Sequence, residues 1–179
     1  MILGLDPGLA NCGWALVTRS RDVVEVGCVR TTRDKDATGD AQRRLVEITA
    51  ALAPLITRAV AVVIEWPSAG GFGRSQHGGN VIAATQTNLV AGLAFGLAAA
   101  HNRPVSAPAA ITWRSVLGHK RGRDEQLHAD LLVRYRAELE RVRAGDLPHV
   151  LDAIGLGLYR VELADRARDR ASRQLALLT

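Results

Sequence analysis

Ile2-Leu3-Gly4-Leu5-Asp6-Pro7-Gly8 decides the fold of this 179-residue chain. A short apolar strand runs out at an acid, and the turn that follows, Pro7 to Gly13, is dense in turn formers. Trp14 to Thr18 reads as a second strand and Val23 to Arg30 as a third, with Arg21 and Asp22 in the connection. Three early strands on short links predict an antiparallel meander. Thr31 to Gly39 is polar and reads as a loop. Beyond it, Leu45, Ile48, Leu52, Leu55 and Ile56 recur at helical spacing, which predicts a helix over 40–59 that Pro54 kinks or ends. Val60 to Glu65 is a buried-strand run closed by Pro67. Gly70 to Asn80 is a loop with five glycines. Val81 to Ala100 is a helix apolar on nearly every side, and Arg103 to Ser106 reads as a short strand. Helices follow over 109–117, 124–143 and 148–168. A meander followed by alternating helix and strand predicts an α/β fold, a mixed sheet with helices on its faces. No linker or repeat divides residues 1–179, which read as one domain.

Composition narrows the function. Hydrophobic residues make up 47% of the chain and charged residues 23%, which excludes a disordered or low-complexity protein. The net charge of +5 suits a polyanionic partner, and it is carried by arginine, since Lys35 and Lys120 are the only lysines. Cys12 and Cys28 are too few for a disulfide framework and form no CxxC clip. The longest apolar run, Leu89 to Ala100, is shorter than the ~20 residues that span a bilayer. The opening residues resemble a strand rather than a secretory leader. A reducing cytoplasmic location, away from membranes, is the expectation.

The chemistry lies in the acids. Asp6 ends the first strand, and Glu65 ends Val62-Val63-Ile64 in the same manner. Neighbouring strands would bring both carboxylates to one end of a sheet. The third element is Asp146-Leu147-Pro148-His149-Val150-Leu151-Asp152-Ala153. His149 and Asp152 are three apart and share a helix face, Asp146 reads as the N-cap, and Pro148 is tolerated in a first turn. Asp152 lies among apolar neighbours, where an unpartnered charge is costly. Three carboxylates and an imidazole from three elements predict a Mg²⁺ site, because Mg²⁺ takes oxygen ligands and keeps waters that phosphate oxygens can replace. Two such ions about 4 Å apart would suit phosphodiester hydrolysis, with Mn²⁺ able to substitute.

Ile2 to Gly8, followed by Gly13-Trp14-Ala15, resembles the opening of RuvC-type Holliday junction resolvases. Val63-Ile64-Glu65 resembles their second acidic strand, and His149-Val150-Leu151-Asp152-Ala153 their final helix, which carries two acids or a His and an Asp at this spacing. The stretch from Gln86 to Gly92 and that from Trp113 to Lys120 also fit the family's layout. The resemblance covers residues 1–160, roughly. It implies a ribonuclease H-like five-stranded mixed sheet, a homodimer, and Mg²⁺-dependent resolution of four-way DNA junctions by paired symmetric nicks, with a branch-migration helicase as partner. It carries Asp6, Glu65, His149 and Asp152 over as the metal site and places the basic Lys120 near the scissile phosphate, where it would stabilise developing charge. The sequence departs from the family in an arginine-rich tail at 165–179 and in a loop that begins Trp66-Pro67. Both bear on substrate preference.

Candidate DNA contacts follow from charge and aromaticity. Gly118-His119-Lys120-Arg121-Gly122-Arg123 offers Lys120, Arg121 and Arg123 to phosphates, which would make binding steeply salt-dependent; a solvated turn is the competing reading. Phe72 and Arg74 lie in the glycine-rich loop, where Phe72 either stacks on a base or packs on the protein's own surface. His77, His101, His119 and His128 show no ligand spacing and read as surface residues. Arg160, Arg166, Arg168, Arg170 and Arg173 alternate with Glu162, Asp165 and Asp169, the pattern of a solvated helix face. Gly92 and Gly96 lie on one helix face and permit close approach, either to the sheet or to a second subunit. An actin-like or sugar-kinase ATPase would need a second lobe that this length does not hold. A nuclease for RNA–DNA hybrids or other branched DNA, and a non-catalytic junction-binding module, stay open as alternatives.

Overall fold

A computed structural model describes residues 1–34, 38–66, 79–119 and 124–176, with backbone alone for 79–84 and 124. The strands are β1 (Ile2–Asp6), β2 (Asn11–Val17), β3 (Val23–Arg30), β4 (Ala61–Ile64) and β5 (Val105–Ser106). The helices are α1 (Asp40–Arg58), α2 (Gly79–Ala100), α3 (Ala110–Val116), α4 (Asp124–Arg134), α5 (Arg136–Leu139) and α6 (Leu147–Ala176). The strands form one five-stranded sheet in the order β3-β2-β1-β4-β5. β1, β2 and β3 pair antiparallel, whereas β4 pairs parallel with β1 and β5 parallel with β4. The expected meander with added parallel strands is therefore present.

Period-two alternation divides the core between the two faces of the sheet. Leu3, Leu5, Val62 and Ile64 point to one face, where Ile48, Leu52 and Ile56 of α1 and Val90, Ala91, Ala94 and Ala98 of α2 cover them. Ile2, Ala15, Val17 and Val63 point to the other, against Trp113, Leu127, Leu131, Val150, Ile154 and Leu158 of α3, α4 and α6. By the same alternation Gly4 and Asp6 face α6. A Cβ on Gly4 would lie 2.0 Å from the Ala153 carbonyl oxygen, and one on Gly13 would lie 2.2 Å from that of His149. Glycine is what lets the α6 backbone rest directly on β1 and β2.

Several boundaries differ from the sequence reading. β2 starts at Asn11 rather than Trp14, because Asn11, Cys12 and Gly13 pair with Arg30, Val29 and Cys28. Proline neither ends nor replaces α1, which continues to Arg58. Pro54 and the residue one turn earlier, Ala50, are both exposed, so the carbonyl deprived of a partner faces water. The helix expected over 124–143 divides at Tyr135, which is buried with φ −115° and ψ 33°. α6 extends past Arg168 to Ala176, so most of the arginine-rich tail continues this helix, exposed from Arg166 onward. Gly92 and Gly96 do not face the sheet: nothing lies within 4 Å of a Cβ built at either. Asp146 is buried, and its carboxylate takes the Arg30 guanidinium of β3, which ties the start of α6 to the sheet. Among the described residues no helix is long and apolar enough to cross a membrane.

The backbone contact at Gly4 yields a stability prediction. Gly4→Ala should destabilise the protein by about 3 kcal/mol, since the added methyl meets backbone that cannot turn aside. Urea unfolding followed by circular dichroism checks this, and an unchanged midpoint would contradict the close approach.

Candidate active site

β1 and β4 run parallel, and the Glu65 N–H donates to the Leu5 carbonyl at 3.0 Å. Asp6 and Glu65 therefore end adjacent strands at the same level. Strand alternation turns both toward α6, because Glu65 follows the parity of Val63 and Asp6 that of Gly4. On α6 the three-residue spacing of His149 and Asp152 aims both at this end of the sheet. The close approach at Gly13 brings the helix to within side-chain reach. The structure thus assembles all four residues that the sequence singled out, from β1, the end of β4, and α6.

Each acid has a specific neighbour. His149 Nδ1 lies 2.6 Å from Asp6 Oδ2. The Trp113 indole N–H donates to Glu65 Oε2 at 2.9 Å. Asp152 accepts from Arg114 Nη2 at 3.2 and 3.3 Å, and its Oδ1 lies 2.9 Å from His128 Nε2. The Arg114 guanidinium also stacks over the Trp113 ring at 4.8 Å. The reading of His128 as a surface residue is corrected here. Its neighbour Leu127 anchors α4 in the core, and His128 reaches across to Asp152 from a half-closed position. His119 is likewise only 16% exposed, whereas His101 is exposed as expected. Arg114 and Trp113 as partners of the acids were not legible from spacing, since they reach the site only by tertiary placement of α3. Lys120, Arg121, Arg123, Phe72, Arg74 and His77 lie outside the described residues.

Burial dominates the electrostatics. It raises the Asp6 carboxyl above the ordinary range and pushes Glu65 up to about 7, and the neighbouring acids add to both shifts. The hydrogen bond with Asp6 raises His149. Both directions within the Asp6–His149 pair mean that it keeps a proton further up the pH scale than a free imidazole would. Among the described residues no three His, Cys, Asp or Glu side chains converge closely enough to hold a metal in this arrangement. The donor set nevertheless fits a divalent cation. It is hard oxygen with one imidazole, partly buried, and Asp6 and Glu65 have no arginine or lysine bonded to them among the described residues.

The fold matches known structures across almost its whole length. Thermus thermophilus RuvC, solved in complex with a Holliday junction substrate, superposes with a TM-score of 0.70 at 19% identity, covering 93% of this chain and 95% of that one. The fold is that of the RuvC resolvases. A second Thermus thermophilus RuvC structure gives a TM-score of 0.65 at 20% identity, covering 93% and 96%. The Fowlpox virus resolvase, solved with Holliday junction DNA, gives 0.57 at 14% identity, covering 90% and 99%. Residues 2–65 match the family model described as crossover junction endodeoxyribonuclease RuvC, a match that ends on Glu65. A comparison with curated protein sequences gives no match.

A carboxyl that is raised on folding destabilises the ionised native state. Glu65 therefore contributes full stability below its ordinary value of 4.5, and that contribution is lost as pH rises through about 7. Metal-free protein should show a melting temperature that falls over this window. Glu65→Gln keeps an acceptor for Trp113 without the charge, and should recover about 2 kcal/mol at pH 8 once the part-exposure of the carboxyl is allowed for. Thermal melts of both proteins from pH 4 to 8, with chelator and then with millimolar MgCl₂, check this. A flat wild-type profile would contradict it.

Proposed function

We propose that this chain is a structure-selective DNA endonuclease that resolves four-way junctions by paired, symmetric nicks, using Mg²⁺. The observation that carries the reading is the meeting of Asp6, Glu65, His149 and Asp152 at one end of the sheet, on a fold shared with RuvC. Asp6, Glu65, Asp152 and His149 are the residues that would hold the cation. Bound there, two Mg²⁺ ions would supply positive charge at the attacking and leaving oxygens of a phosphodiester.

The protein's own side chains have distinct tasks. Asp6 and Glu65, at the ends of adjacent strands, offer oxygens from a rigid sheet. In the neutral His149 ring with Nδ1–H donated to Asp6, the lone pair sits on Nε2, free for a water or a metal. Trp113 and Arg114 orient Glu65 and Asp152 through their hydrogen bonds. Lys120, together with Arg121, Arg123, Phe72 and Arg74, is assigned to the DNA, Lys120 nearest the reacting phosphate. A chain of net charge +5 suits that partner.

The test is cleavage of synthetic four-way junctions, flaps and RNA–DNA hybrids in Mg²⁺ by the purified chain. Four-way junctions should be nicked at symmetric positions, and the other substrates should be cut far more slowly. Asp6→Asn should lower cleavage roughly a thousandfold while leaving junction affinity in a gel-shift assay unchanged, because affinity comes from the basic surface. Faster cutting of hybrids than of junctions would overturn the reading.

A two-fold junction calls for a two-fold protein, and we propose a homodimer that meets through α2. Its outer face carries Leu89 and Phe95, exposed at 46% and 45%, beside the open Gly92 and Gly96. A second copy would cover these apolar groups. Leu89→Glu combined with Phe95→Glu should convert a dimer to a folded monomer in sedimentation and uncouple the two nicks. A wild-type chain that sediments as a monomer on junction DNA would overturn this placement.

A further inference from the structure

Asp152 is held from two directions, and the two holds differ in kind. Arg114 Nη2 lies 3.2 Å from Oδ1 and 3.3 Å from Oδ2, so it barely distinguishes the oxygens. His128 Nε2 lies 2.9 Å from Oδ1. A carboxylate oxygen has about two lone-pair directions. Oδ1 therefore has both engaged, whereas Oδ2 keeps one open beyond its Arg114 contact. Leu127 and Leu131, at 2% and 5% exposure, bury α4 in the core that also receives Leu151 and Ile154 of α6. That contact fixes the backbone carrying His128 relative to Asp152. The pair is partly shielded from water, with side-chain exposures of 24% and 17%.

We propose that His128 is a positioning residue of the nuclease site, holding Asp152 by Oδ1 so that Oδ2 is the oxygen offered to the divalent cation. The inference rests on the reading of Asp152 as part of that site. Arg114 alone contacts both oxygens, so it restrains the carboxylate without reserving either side for a further ligand. The imidazole occupies the Oδ1 side and leaves the Oδ2 side for that ligand. A carboxylate oxygen accepts, so in this contact the hydrogen is on His128 Nε2.

Mn²⁺ titrated calorimetrically into metal-free protein tests the assignment without relying on turnover. His128→Ala should weaken Mn²⁺ binding about tenfold, the usual cost of losing a hydrogen bond behind a metal ligand. In Mg²⁺ its kcat on four-way junctions should fall by a similar factor, with KM for the junction unchanged. His128→Gln, whose side-chain amide N–H can donate to the same oxygen, should recover most of both. Wild-type Mn²⁺ affinity in His128→Ala would overturn the proposal. So would a His128→Gln protein as defective as His128→Ala with the same drop in melting temperature, which would mark His128 as a packing residue. Asp152→Asn separates the two levels: if that protein still binds Mn²⁺ and cleaves, the site reading itself fails, and otherwise the result for His128 stands alone.

Discussion

The direct contact of α6 with β1 and β2 is the constraint from which the site follows. A helix normally rests on a sheet across a layer of side chains, about 10 Å away. Here Gly4 and Gly13 remove that layer at two points, and carbonyl oxygens of Ala153 and His149 occupy space where Cβ atoms would otherwise stand. The closeness converts two positions on one helix turn, His149 and Asp152, into neighbours of Asp6. Arg30 and Asp146 fasten the same end of the helix to β3, so the first turn cannot lift away.

The site that results is electrostatically costly on its own. Carboxyls from three elements are gathered here, and burial disfavours the charged forms of Asp6 and Glu65, with Glu65 pushed up to about 7. The fold offsets this with partners from α3, α4 and α6. Trp113 serves Glu65, Arg114 and His128 serve Asp152, and His149 serves Asp6. These donors satisfy the acids and also set the direction in which each carboxylate presents its remaining oxygens.

The two faces of the sheet divide the labour. The face covered by α6, α3 and α4 holds the acids. The face covered by α1 and α2 holds a second apolar core, and α2 turns Leu89, Phe95, Gly92 and Gly96 outward from it. α2 is thus apolar both on the side that meets the sheet and on the side that is exposed.

Much of this was determined by the sequence alone. The alternation and length of Ile2–Asp6, Val23–Arg30 and Ala61–Ile64 specify strands, and the acids at their ends need no tertiary information to be noticed. The spacing of His149 and Asp152 places them on one helix face, because helical geometry is local. Boundaries were less legible where pairing or solvent decides them. Asn11 to Gly13 carry turn-forming residues, yet hydrogen bonds to β3 make them strand. Pro54 is tolerated because its face of α1 meets water. Tyr135 interrupts a continuous helical pattern where the chain sinks its ring into the core. What only the tertiary structure decided is who attends the acids. Trp113, Arg114 and His128 are far from Glu65 and Asp152 in sequence, and nothing periodic relates them. They meet because α3 and α4 bury Trp113, Leu127 and Leu131 against α6, and a hydrogen bond between distant residues exists only where such burial has already brought their backbones within reach.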